Sequence, residues 1–242
     1  MGRALRVSIP LLLLFVSACA PEGPTAFVTF NVPPSNDCVY MPSQSGDLFI
    51  PRGLFDISEG GRSDSDSDYC ARSYNMNLQV NSFLRSSQDE GLGRAEPNIL
   101  QLHSAEVTLM TLEKVIIHFD RPGEELPNPF LVTTNNSIFT SDGKTPALGI
   151  APVEAIPAAY APQLDGWIGN QILVQVQIFG TTTGDVDIDL KPFVYPVEIC
   201  SGCLTICRED LGSGLSIDDL IGDQCDDNAG ADDRFCIDPC VD

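Results

Sequence analysis

The chain has 242 residues, and 43% of them are hydrophobic, which is enough to build a sizeable core. It carries 34 aspartates and glutamates against 13 lysines and arginines, so its formal net charge is −21. A surface of that charge repels phosphate backbones, which excludes nucleic acid as a partner.

Residues 1–18 have the three-part layout of a secretory signal peptide. Arg3 and Arg6 supply positive charge, residues 9–16 form an apolar run, and small residues stand directly before Cys19. The apolar run is far too short to span a bilayer. We therefore predict that residues 1–18 are removed and that the rest of the chain is exported.

The motif Val16-Ser17-Ala18-Cys19 resembles the lipobox of bacterial lipoproteins. The resemblance implies cleavage before Cys19 and attachment of fatty acyl chains, palmitate among them, to this cysteine. The alternative is an ordinary signal peptide with a cysteine near its cut site.

Residues 19–25 follow as a polar tether that does not continue a helix. Ala20 is not the aspartate that retains enteric lipoproteins at the inner membrane, so the resemblance implies the outer membrane. The whole chain is similar in style to large envelope lipoproteins of myxobacteria and their relatives. That similarity implies a location but no activity.

Residues 26–199 are predicted to form an antiparallel β-sandwich, because short alternating segments recur and no stretch has helical periodicity. The first strand covers residues 26–32. The clearest strands are 74–84 and 172–178, whose even-numbered aliphatic side chains should form the core while the Asn and Gln residues of 74–84 face solvent. A closed up-and-down barrel is the alternative.

Further strands are predicted around these. A phase slip near His103 and Ser104 indicates a β-bulge or two successive strands. Residues 115–119 should form another strand, and residues 180–185 should turn a hairpin.

Two weaker strands are expected at residues 130–139 and 148–156, separated by a turn at 141–144. The only tryptophan, Trp167, is expected to plug one end of a sheet.

Nine cysteines occur, and without Cys19 the remaining eight predict four disulfides in an exported chain. Cys38 and Cys70 flank an irregular region and are predicted to pair, which would stabilise the fold by about 3 to 4 kcal/mol through closure of a loop of about 30 residues. The other six follow the β-sandwich and do not reveal their pairing: Cys200, Cys203, Cys207, Cys225, Cys236 and Cys240.

Residues 200–242 are expected to form a small acidic segment stapled by disulfides, because so short a segment cannot bury enough apolar surface alone. A second interpretation is a calcium module. The residues from Asp218 to Asn228 loosely resemble the Asp-rich repeat of thrombospondin type 3 domains, which makes Asp218, Asp219 and Asp223 calcium candidates.

A third interpretation is redox or zinc chemistry at Cys200-x-x-Cys203. In the thioredoxin family such a pair begins a helix behind a parallel strand, where the helix dipole activates the thiol. Here the pair follows a predicted antiparallel region, and zinc would require reduced thiolates in an oxidising compartment.

Residues that could support catalysis are few. The chain has two histidines, His103 and His118, and the alternation around His118 directs it to solvent. None of the common hydrolase, metalloprotease or nucleotide-binding motifs occurs. We predict a non-catalytic protein without a cofactor.

The leading hypothesis is therefore a lipid-anchored cell-envelope protein with a structural or binding role and an envelope protein or glycan as partner. The alternative is a calcium-dependent adhesive or carbohydrate-binding module.

Overall fold

A computed structural model describes residues 25–33, 40–44, 51–57, 73–85, 87–89, 94–96, 98–121, 123–203, 205–207 and 236–238. Apart from two short 3-10 helices, Ala158–Gln163 and Asp165–Trp167, the regular structure in these ranges is strand, so the predicted all-β class is confirmed. The strands are β1 (Ala26–Asn31), β2 (Gly53–Asp56), β3 (Tyr74–Ser82), β4 (Ser87–Asp89), β5 (Arg94–Glu96), β6 (Leu100–Met110), β7 (Phe119–Arg121), β8 (Glu124–Leu126), β9 (Phe130–Ile138), β10 (Ala147–Ile156), β11 (Gln171–Thr182), β12 (Asp187–Asp189), β13 (Phe193–Cys200), β14 (Thr205–Cys207) and β15 (Cys236–Asp238).

Two sheets form the body of the fold. The smaller has the order β1-β3-β10, and the larger has the order β2-β13-β11-β6-β9 with β12 paired to β11. Their buried side chains form one hydrophobic cluster, as in a β-sandwich. The chain passes from one sheet to the other between β9 and β10, where Ile138 lies over Gly149 and the Asn136 amide donates to the Ile150 carbonyl.

The core is formed by the alternating apolar residues that the sequence predicted to face inward. The even-numbered apolar side chains of β3 and β11 are completely or almost completely buried, and they come from opposite sheets. They are Tyr74, Met76, Leu78 and Val80 in β3 and Ile172, Val174, Val176 and Ile178 in β11. Burying one such side chain contributes about 1.5 to 3 kcal/mol relative to leaving it exposed, so this face drives the association of the sheets.

The opposite face of β3 is less solvated than predicted, because Asn77 and Gln79 are buried while Asn75 and Asn81 are half-buried. Gln79 is only 1% exposed because residues 40–44 cross this face. The backbone N–H of Ser43 donates to Gln79 Oε1 (2.8 Å), and Gln79 Nε2 donates to the Ser43 carbonyl (3.1 Å). These bonds satisfy the buried amide, which would otherwise be costly to desolvate.

The predicted irregularity at His103 and Ser104 is confirmed. The pairing of β6 with β9 shifts register between Leu102 and Ser104, and both residues remain in the single strand β6. A β-bulge of this kind explains why the inward-facing positions change parity within one strand.

The hairpin after β11 turns later than predicted. Gly180 lies inside β11 opposite Ile188, and the turn follows Thr182. A Cβ at residue 180 would lie 2.7 Å from the Gln101 carbonyl oxygen, so this glycine permits close approach of two strands and does not form the turn.

Two other strand predictions need correction. Residues 115–119 do not form one strand: residues 111–116 form a loop, and only Phe119 enters a strand, the short β7. The larger sheet is also not wholly antiparallel, because β2 pairs in parallel with β13. The strands predicted at 130–139 and 148–156 are present as β9 and β10, and Trp167 packs against the core as expected.

Some predictions fall outside the described residues. These include the signal peptide 1–18, the tether up to residue 24, the Cys38–Cys70 pair and most of segment 200–242. Within that segment, β14 and β15 pair in parallel. No helix in the described ranges is long and apolar enough to cross a membrane.

Candidate functional site

The strands define two ends of the sandwich. Thr25, at the entry to β1, accepts a hydrogen bond from the Phe83 N–H after the end of β3, so the chain enters at the end where β3 finishes. The Leu84 carbonyl at this end accepts a bond from the Ser141 N–H, which follows β9. We call it the tether end, and the opposite end, where β6 and β13 finish, the distal end.

The distal end carries a loop of unusual composition, which we call the apolar loop (residues 111–116). Leu112, Val115 and Ile116 are all exposed, Val115 to 59%. The loop is nevertheless closed by backbone bonds, from the Thr111 N–H to the Val115 carbonyl (2.8 Å) and from the Lys114 N–H to the Thr111 carbonyl (2.9 Å). It therefore displays apolar side chains on a hydrogen-bonded turn.

The apolar loop carries one acidic and one basic residue, which are neighbours in the sequence. Glu113 and Lys114 stand side by side at its tip, and the Thr111 hydroxyl is the main cause of a lowered pKa at Glu113. Lys114 adopts a positive φ of 62°, an uncommon conformation for a residue with a side chain. Apart from these two residues and the half-buried Thr111, the side chains of the loop are aliphatic.

Asn128 fixes the base of the apolar loop. Its Oδ1 accepts from the Leu109 N–H (2.9 Å), and its Nδ2 donates to the carbonyls of Leu109 and Ile117 (both 2.8 Å). One side-chain amide thus bridges the strand that enters the loop and the segment that leaves it. The Leu109 carbonyl also accepts from the Ile117 N–H (3.0 Å), so the Leu109 N–H and the Ile117 carbonyl are the two groups that depend most on this amide.

Tyr160, in the first 3-10 helix, supports the same region. Its ring packs at right angles to Phe119 and at a tilt to Phe130, with ring centroids 5.0 Å away in each case. Its hydroxyl donates to the Pro127 carbonyl, one residue before Asn128. Burial raises the pKa of the Tyr160 hydroxyl above its ordinary value.

The raised pKa of Tyr160 predicts a pH dependence of stability. The folded state favours the neutral phenol, so this contribution is complete below about pH 10, the ordinary tyrosine pKa, and is lost as pH rises through the folded-state pKa. Urea unfolding of the wild type and of Tyr160→Phe, measured between pH 8 and 11, should show a steeper loss of stability above about pH 10 in the wild type. If the stability of the wild type and that of Tyr160→Phe fell in parallel with pH, a raised pKa at Tyr160 would be contradicted.

A disulfide joins Cys200, the last residue of β13, to Cys203, with their Cα atoms 5.9 Å apart. Between them Gly202 has a φ of 72°, and its N–H donates to Asp56 Oδ1 (2.8 Å). The buried Asp56 at the end of β2 therefore holds the turn that the disulfide closes. Cys200 ends a strand and Cys203 follows it, so the pair does not begin a helix as it does in the thioredoxin arrangement.

Asp56 was not predicted from the sequence, although it completes a potential metal-binding set. One ligand atom from each of Asp56, Cys200 and Cys203 lies within 4.8 Å of the others. A soft divalent cation would require thiolates, and sulfurs joined in a disulfide carry no such charge. In the disulfide form the three residues therefore act as a structural turn.

Among the described residues, the two histidines do not belong to this cluster. His118 is exposed, as predicted, and His103 is exposed with its Nδ1 2.8 Å from the Ser104 hydroxyl. Cys19, Cys38, Cys70, Cys225, Cys240 and the calcium candidates Asp218, Asp219 and Asp223 lie outside the described residues. Cys207 is the last residue of β14, and Cys236 is the first residue of β15.

Sequence reasoning missed the apolar loop because it assigned Val115 to a strand. The signal that was available is the pair Glu113-Lys114 in the middle of an aliphatic run, which favours a turn over a buried strand. No protein-family model and no curated protein matches this chain.

Proposed function

We propose that the protein is a lipid-anchored cell-envelope protein whose β-sandwich binds an envelope partner through the apolar loop and does not act as an enzyme. The observation that carries the proposal is the exposure of Leu112, Val115 and Ile116 on a hydrogen-bonded turn. Surface aliphatic residues grouped in one loop are typical of a binding surface, whereas single exposed ones are not.

The position of the loop also supports this role. It lies at the distal end, whereas Cys19 stands only six residues before Thr25 at the tether end. A protein held by acyl chains at Cys19 would thus present the loop away from the bilayer. End loops on a rigid sandwich are a common place for binding residues, because the sheets hold them in position.

The chemistry of the loop favours a protein partner over a glycan. Three aliphatic side chains offer no hydrogen bonds to sugar hydroxyls, but they can pack against a complementary apolar surface. The outer-membrane location and the acyl anchor remain part of the proposal and rest on the motif Val16 to Cys19. The calcium-dependent adhesive alternative rests on Asp218, Asp219 and Asp223, which lie outside the described residues, so it stays a prediction.

A non-catalytic role is supported by the surroundings of the histidines. Catalysis by a histidine and a hydroxyl requires a third group that orients the imidazole. Within the described ranges the His103 ring forms a hydrogen bond with the hydroxyl of the neighbouring Ser104, and both histidines are exposed on the surface.

Site-specific photo-crosslinking in the native cell tests the binding role. Val115→p-benzoylphenylalanine should give one discrete protein adduct, and adding Leu112→Ser should lower its yield by about fivefold or more, because the apolar contact is lost. The control probe is Val186→p-benzoylphenylalanine, also exposed but at the tether end. Equal adducts from both probes, or none from position 115, would refute a partner at the apolar loop.

A further inference from the structure

The tether end also exposes large apolar side chains. Phe139 is 70% exposed and Val186 is 56% exposed. Phe139 directly follows Ile138, which is buried at the end of β9, and Val186 lies in the turn between β11 and β12. A phenylalanine so exposed at the end of a well-packed strand needs an explanation.

Strand register places these two side chains at the same end. Ile138 pairs with Leu100, and Leu100 pairs with Thr182, so the ends of β9, β6 and β11 lie in one row. The Thr182 N–H donates to the Val186 carbonyl (2.9 Å) just beyond that row. Two strand spacings, or about 10 Å, separate the strand of Phe139 from that of Thr182.

The backbone around Phe139 is held in place. The Ser141 N–H donates to the Leu84 carbonyl (2.7 Å), and the Arg85 guanidinium donates to the Gly143 carbonyl (3.3 Å). A Cβ at residue 143 would overlap the Arg85 side chain, and the φ of Gly143 is 78°, so only glycine suits this turn. The exposure of Phe139 is therefore a feature of a fixed turn.

The chain itself limits how far this end can lie from an anchor at Cys19. Six residue steps separate Cys19 from Thr25 and span at most about 21 Å when fully extended. By comparison, β11 runs for 12 residues from the distal end to the tether end, which is about 36 Å. An upright sandwich with its distal end on the membrane would thus place Thr25 beyond the reach of the tether.

We propose that the tether end is a membrane-contact face, with Phe139 and Val186 inserted among the lipids that hold the acyl chains of Cys19. This inference rests on the proposed anchor and adds the orientation of the domain. An aromatic ring beside a polar turn suits the interface between head groups and acyl chains.

The charges around these two side chains favour contact through apolar insertion. Arg85 and Lys144 are cationic, whereas Asp142, Asp185 and Asp187 are anionic. A mixed set of this kind gives no net attraction to anionic lipid, so the contact should persist at high salt.

Tryptophan fluorescence of the full-length lipidated protein, reconstituted into phosphatidylcholine vesicles with brominated acyl chains, tests the orientation. The wild type reports on the distal end, because Trp167 is its only tryptophan. A second protein, Phe139→Trp with Trp167→Phe, reports on the tether end. The matched control, Val115→Trp with Trp167→Phe, places the probe at a distal position that is also exposed.

Bromine quenches only tryptophans that enter the bilayer, so the probe at position 139 should be quenched at least about threefold more than those at positions 115 and 167. Equal quenching at positions 139 and 115, or none at 139 in protein that floats with the vesicles, would overturn the membrane-contact face alone. If the protein purified from its native membrane carries no acyl chain and does not float with the vesicles, the proposed anchor is overturned, and the inference with it.

Discussion

Cys19→Ser is expected to release the protein from the membrane almost completely. Each buried methylene of an acyl chain contributes about 0.8 kcal/mol, and two or more chains hold a protein firmly whereas none leaves only weak surface contacts. Flotation of cell membranes on a density gradient measures the change. We expect the wild type in the floating fraction and the variant in the soluble fraction.

The control for that experiment is Cys203→Ser, which opens the Cys200–Cys203 disulfide at the distal end but leaves the proposed acylation site intact. It should float like the wild type. Intact mass spectrometry of the floating protein should give the mass of a chain that begins at Cys19 and carries acyl chains. After reduction, this mass should rise by one hydrogen for each cysteine that was paired in a disulfide. Flotation of both variants would contradict the lipid anchor.

Asn128→Ala is expected to lower the free energy of unfolding by about 2 to 4 kcal/mol. The change removes three hydrogen bonds at once and takes the amide away from the Leu109 N–H and the Ile117 carbonyl, whereas the Leu109 carbonyl keeps its bond from the Ile117 N–H (3.0 Å). Asn128→Asp keeps the shape but turns the donor into an acceptor facing two carbonyls, so it should destabilise at least as much. Urea unfolding followed by Trp167 fluorescence measures both effects.

Asn135→Ala is the control, because Asn135 is exposed on β9. We expect it to change stability by less than about 0.5 kcal/mol. Since Asn128 holds both sides of the apolar loop, its alanine variant should also weaken the crosslink from position 115. A cost at residue 128 no larger than that at residue 135 would mean that the amide does not fix the loop.

The core strands could be predicted because their signal is local. In β3 and β11 one side faces the core, so burial alternates with residue number and can be counted along the chain. The bulge at His103 and Ser104 was visible for the same reason, as a change of parity within one apolar pattern. None of these inferences depends on which strands become neighbours.

Features that depend on distant partners could not be predicted. The pattern of β3 gave Gln79 a solvent-facing position, and only the crossing of residues 40–44 buries it. Val115 alternates correctly with Ile117 for a strand, but the backbone bonds of Thr111 close a loop there instead. Neither Asn128 nor Asp56 carries a sequence signal, because their partners are backbone groups far along the chain.

By itself, then, the sequence determined the all-β class, the inward-facing residues of the main strands and the motif from which an anchor at Cys19 is predicted. Tertiary structure alone decided the two sheets and their order, the parallel pairing of β2 with β13, and the separation of the apolar loop from the tether end. The physical reason is the range of the interactions. The alternation of apolar and polar residues along a strand indicates which side of that strand is buried. Sheet order and the position of each loop follow instead from contacts between residues far apart in the chain.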